Sequence, residues 1–67
     1  KAVETYERVA ALAASDNKHV RKHAAIALGE LGDRRGLEIV ARMASDDSGS
    51  GVRFMAGRAR DKLEQAP

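Results

Sequence analysis

His19 and His23 stand four residues apart in the stretch KHVRKH. On an α-helix that spacing puts two imidazoles on one face, the geometry by which a helix offers two ligands to a metal ion. A third ligand is missing: the chain has no cysteine, and no carboxylate falls at an obvious third position. On a helical wheel His19 points to solvent and His23 borders the apolar stripe, so no metal is expected. Ser15, Asp16 and His19 could serve as nucleophile, acid and base. A Ser-Asp turn ahead of a helix is the common form of an N-cap, and neither an oxyanion-hole loop nor a nucleophile elbow accompanies the trio. The loop DDSGSG (46–51) could cradle a phosphate at a helix N-terminus; as a lone Gly-Ser segment it reads as a flexible turn. No residue is therefore assigned a catalytic role, no cofactor is expected, and the chain is not read as an enzyme.

What must position these residues is a set of short helices. The 67 residues suffice for one small domain or for part of a larger assembly. A chain of this size buries only about 60% of its unfolded surface and is marginal in stability. With one Phe, one Tyr and no Trp, its core rests on alanine and must be made by close approach of helices. Three- and four-residue periodicity predicts four helices and no strand. The first covers 3–14 through Val3, Tyr6, Val9, Ala10, Leu12 and Ala13. The second covers 18–31, with Val20, Ala24, Ala27, Leu28 and Leu31 on one stripe. The third, 35–45, buries Leu37, Val40, Ala41 and Met43 or Ala44. The fourth, 51–65, sets Val52, Ala56, Ala59 and Leu63 on one line. Ser15-Asp16-Asn17 offers N-caps for the second helix and Gly32 its C-cap; Asp33 and Ser50 cap the third and fourth. The expected fold class is all-α.

The halves repeat. A shift of 31 pairs Glu7 with Glu38, Val9 with Val40, Ala10 with Ala41, Ala13 with Ala44 and Asp16 with Asp47. After one extra residue in the second loop, a shift of 32 pairs Val20 with Val52, Arg21 with Arg53, Ala24 with Ala56, Ala27 with Ala59 and Leu31 with Leu63. Two helical hairpins of one design therefore stand in tandem.

Asp16 followed by VRKHAAIALGELGD, with its weaker second copy, resembles HEAT repeats of the compact kind found in phycobilisome-lyase-like proteins. The units are short against the roughly 40–47 residues typical of HEAT repeats. The tetratricopeptide and ankyrin patterns are absent. The resemblance implies one HEAT-like domain over 1–67, with repeat 1 at 3–32 and repeat 2 at 33–65. Its hairpins would stack as a short right-handed α-solenoid. It also implies structural ion pairs, Arg21 with Asp16 and Arg53 with Asp47, within or between repeats. In such a stack Ala25 and Gly29 flank the main stripe and would let a neighbouring helix approach. That would offset the roughly 1 kcal/mol a glycine costs a helix. Deoxyhypusine hydroxylase builds a di-iron site from His-Glu pairs in repeats of this type. Its pairs would fall at Lys22-His23 and Phe54-Met55, and neither is His-Glu, so that activity is not carried over.

In a HEAT-like hairpin the second helices line the concave side. Their outward positions here are Lys18, His19, Lys22 and Ile26 on one, and Phe54, Arg58, Asp61 and Gln65 on the other. Ile26 and Phe54 are apolar anchors among Arg and Lys, the composition of a binding hot spot. The expected function is a non-catalytic protein-interaction module that binds a protein partner through this face. The alternative, implied by the resemblance alone, is a subunit or fragment of a bilin lyase or related chromophore-handling enzyme. A net charge of +2 decides little; nucleic acid usually requires a denser basic patch, so binding it through Lys18, Lys22, Arg58 and Arg60 is the third and less favoured reading. No apolar run approaches a membrane span, so no membrane partner is expected; the lack of cysteine suits a cytoplasmic location. Two repeats are fewer than the three or more usual for stability, so flanking repeats or self-association are expected.

Overall fold

The computed structural model describes residues 5–65. They form α1 (Thr5–Leu12), α2 (Lys18–Leu31), α3 (Leu37–Asp46) and α4 (Ser50–Gln65), with a 3-10 turn over Arg34–Gly36 leading into α3. No strand occurs among the described residues. Val3, expected to open the first helix, lies outside them.

The limits of α2 follow from local chemistry. Asn17 Oδ1 accepts from the N–H groups of His19 (2.8 Å) and Val20 (3.4 Å), filling the orphan donors of the first turn. Gly32 ends the helix at φ 70°, a conformation that a residue with a Cβ adopts only under strain. Asp33 does act as a cap, accepting from the Arg35 N–H at 2.9 Å. The turn it caps is 3-10, so the α-helix begins two residues later than the periodicity suggests. Ser50 is not the cap of α4; it is the first helical residue. The Gly49 carbonyl accepts the first helical bond, from Arg53 at 3.0 Å. Asp47 Oδ1 accepts from the Gly49 N–H at 2.9 Å, a side-chain turn just ahead of the helix.

Two hairpins, α1–α2 and α3–α4, lie side by side with their second helices in extensive contact, an all-α, solenoid-like arrangement. Alanine and glycine set how close those helices come. A Cβ placed on Gly29 would lie 2.9 Å from Ala59 Cβ and 3.0 Å from Ala59 Cα. The glycine is thus required by packing, and the contact offsets its helix cost of about 1 kcal/mol. Ala25, Leu28, Val40, Met43, Val52, Ala56, Ala59 and Leu63 form one buried cluster.

The expected line on α4 is buried at every position. On α2 the buried face is turned away from the expected stripe. Ala24, Ala25, Leu28 and Gly29 are buried, Val20 and Ala27 are half-buried, and Leu31 is exposed. The reason is the lateral contact with α4, which draws in the small-residue flank. His23, expected at the core boundary, is exposed. Helix α1 has no fully buried residue. It is tied down by Tyr6, whose hydroxyl donates to the Arg35 carbonyl at 3.1 Å and whose ring lies 4.3 Å from the Arg35 guanidinium.

Candidate functional site

Arg21 projects from the first turns of α2 toward the joint between the hairpins. Its Nε and Nη2 donate to Asp47 Oδ2 and Oδ1 at 2.8 and 3.0 Å, a two-pronged pair across the repeat boundary. Its Nη1 donates to the carbonyls of Ser15 (2.9 Å) and Asp16 (3.1 Å). Arg53 makes the equivalent bond in the second repeat, from Nη1 to the Asp47 carbonyl at 2.8 Å. Arg21 therefore meets Asp16, and Arg53 meets Asp47, through main-chain oxygens rather than as side-chain ion pairs. The carboxylate pair runs between repeats, from Arg21 to Asp47. The geometry has a local cause, because the Gly49 N–H fixes Asp47 Oδ1, which leaves both carboxylate oxygens facing the Arg21 fork of the neighbouring hairpin. The Arg21 hydrogen bonds hold the Asp47 carboxyl below the usual carboxylate range; burial opposes this, and the Gly49 N–H assists.

The α2–α4 surface carries the rest. Phe54 is 61% exposed, and the Arg58 guanidinium lies 5.9 Å from its ring centroid, within cation–π reach. Beside them is an open depression of about 320 Å³ lined by Ile26, Glu30, Met55, Arg58, Ala59 and Lys62. A second depression of about 180 Å³ holds Lys18, His19 and Lys22 against 49–52 at the start of α4. Of the expected face residues, Ile26 and Arg58 share the first hollow and Lys18, His19 and Lys22 the second. Phe54 lines neither. Met55, Glu30 and Lys62 escaped the sequence reading. Lys62 spans the two helices to Glu30 at 3.6 Å, and the complementary charges at equivalent repeat positions were the signal for it.

Charge is unevenly placed. Four of the chain's twelve Lys and Arg residues line the two hollows, against one of its ten carboxylates. Among the described residues no group of three or more His, Cys, Asp or Glu could hold a metal ion. No helix among them is long and apolar enough to cross a membrane.

A family model for HEAT repeats matches residues 2–61. No curated protein and no solved structure compared with the chain matches it. Two hairpins of one design, joined through an arginine–aspartate pair and matched over nearly their whole length, make this chain a member of the HEAT-repeat family.

Proposed function

We propose that the chain is a non-catalytic binding module that holds an acidic protein segment on the surface built by α2 and α4. HEAT repeats generally mediate protein–protein interaction. The observation that carries the reading is the exposed Phe54 with Arg58 over its ring, on a face whose hollows are lined by Lys18, Lys22, Arg58 and Lys62. An apolar side chain of the partner would enter the Ile26–Met55–Ala59 hollow, while its carboxylates meet the surrounding cations. Arginine and aromatic anchors of this kind dominate binding energy where they occur.

The test is a peptide-display selection against the full chain, followed by titration of the selected peptides. Selected peptides should combine Asp or Glu with an apolar residue. Phe54→Ala should weaken their binding by about 2 kcal/mol, roughly 30-fold, while stability stays within about 0.5 kcal/mol. A large loss of stability with unchanged binding would remove Phe54 from the face. Oligonucleotide binding with a steep salt dependence, indifferent to Phe54→Ala, would replace the reading altogether.

A further inference from the structure

The two repeats carry matching apolar residues, yet the same positions are covered in one and open in the other. In the second repeat Val40, Met43, Val52, Ala56, Ala59 and Leu63 are all buried. Their counterparts in the first are Val9, Leu12, Val20, Ala24, Ala27 and Leu31. Of these only Ala24 is buried; Val9, Val20 and Ala27 are half-buried, and Leu12 and Leu31 are 50% and 41% exposed. The second repeat owes its cover to the first, whose Ala25, Leu28 and Gly29 pack on α4 down to the contact with Ala59. The first repeat's line has no such cover among the described residues.

The opposite edge differs in kind. On α4 the counterparts of Ala25, Leu28 and Gly29 are Gly57, Arg60 and Asp61. A Cβ at Gly57 would meet nothing within 4 Å, and Arg60 and Asp61 face solvent as a loose pair at 4.0 Å. Charged side chains stand where the α2–α4 contact needs a leucine and a glycine. The hinge residues add an independent observation. Asp47 receives the Arg21 fork, while the carboxylate of its counterpart Asp16 accepts no hydrogen bond among the described residues.

We infer that the open edge of the first repeat takes a further helical hairpin of the same design, packing there as α2 packs on α4. That hairpin presents a line equivalent to Ala25-Leu28-Gly29 to Val20, Ala27 and Leu31, and an arginine to Asp16. The stack grows on the α1 side and stops at α4. An apolar edge on one end and a polar edge on the other is the arrangement a solenoid needs at its last repeat.

The test compares two extensions of the full chain by thermal unfolding. One inserts a second copy of residues 3–33 ahead of residue 3, which restores the 26-residue separation between Arg21 and Asp47 to the new arginine and Asp16. The other joins residues 32–65 after Leu63. The first should raise the Tm by about 10 °C or more and the second should raise it little. Leu31→Glu should move the Tm of the unextended chain by only about 2–4 °C, the range of a surface change. In the first extension it should cost at least twice that. Equal gains from both extensions, or equal costs of Leu31→Glu with and without the added hairpin, would overturn the assignment. So would an unextended chain that sediments as a dimer and becomes monomeric on Leu31→Glu, because the edge would then belong to a second copy.

Discussion

Exchanging Asp47 for alanine is expected to lower the unfolding free energy by about 3 kcal/mol, read from urea unfolding followed by helical circular dichroism at neutral pH. Its side chain is only 7% exposed and joins two hairpins. The substitution removes a charge-assisted pair to Arg21, for which about 1.5–3 kcal/mol is typical. It also removes the acceptor of the Gly49 N–H in the turn before α4, worth about 1 kcal/mol as an ordinary hydrogen bond. A domain this small holds about 5 kcal/mol in all, so little native protein should survive mild denaturant. A loss below about 1 kcal/mol would show that the pair is replaced by water at no cost. Asp47→Asn separates charge from shape. Because the folded-state pKa of Asp47 is lowered, its contribution is present above the unfolded value near pH 4 and fades as pH falls through the lower folded value. The stability gap between the native chain and Asp47→Asn should therefore be full at pH 6 and shrink progressively below about pH 4.

Gly29→Leu should be equally damaging, at about 3 kcal/mol in the same assay. The first added carbon already lies 2.9 Å from Ala59 Cβ and 3.0 Å from Ala59 Cα. Neither atom can move without shifting α4, and overpacking of a tight core costs about 1–3 kcal/mol before the remaining carbons are placed. Gly29→Ala sets the same clash against a gain of about 1 kcal/mol in helix propensity, leaving a smaller net loss. Gly57 is the control. It is helical with nothing within 4 Å of an added Cβ, so Gly57→Ala should stabilise by about 0.5–1 kcal/mol. Two glycine-to-alanine changes on neighbouring helices would then act with opposite sign. A gain at Gly29 would mean that α2 and α4 stand further apart than a glycine–alanine contact requires.

The parts of the fold that were legible in the sequence are those written in local contacts. The span of α2 from Lys18 to Leu31 was readable because Asn17 and Gly32 act on their own neighbours. The line on α4 was readable because it is covered on both sides. The line on α2 was readable at Ala24 and Leu28, which are buried, but not at Val20, Ala27 and Leu31, since these and the opposite flank of Ala25 and Gly29 both border that pair and only the position of α4 chooses between them. Ser50 was misassigned for a related reason. A serine before a helix is a good cap in isolation, but here the helix starts at Ser50 itself, and Asp47 closes the turn just ahead of it through the Gly49 N–H. At the joint, the residue types Asp16, Arg21, Asp47 and Arg53 were legible, whereas the pairing of Arg21 with Asp47 across 26 positions depends on how the hairpins stack. On the α2–α4 surface, Phe54 was placed by its angle from the buried line. Met55 and Lys62 were missed because a wheel shows one helix at a time and their hollow lies between two.

Because α1 buries no residue completely, it is expected to part from the rest of the molecule more readily than the other helices. The described part of α1, Thr5–Leu12, is too short to persist by itself in water, and it leans on the rest mainly through half-buried Tyr6 and Val9. It should detach and re-form many times during the lifetime of a body made by α2, α3 and α4. Amide hydrogen exchange would record this directly. The amides of α1 should exchange through local opening, at a free energy well below that of global unfolding, while those around Leu28 and Leu63 wait for the whole chain to unfold. Uniform protection across all four helices would mean that α1 is bound into the cooperative unit despite its exposure. If α1 does breathe, a hairpin arriving at the open edge binds and completes a half-ordered surface, and α1 protection rises only once it has docked.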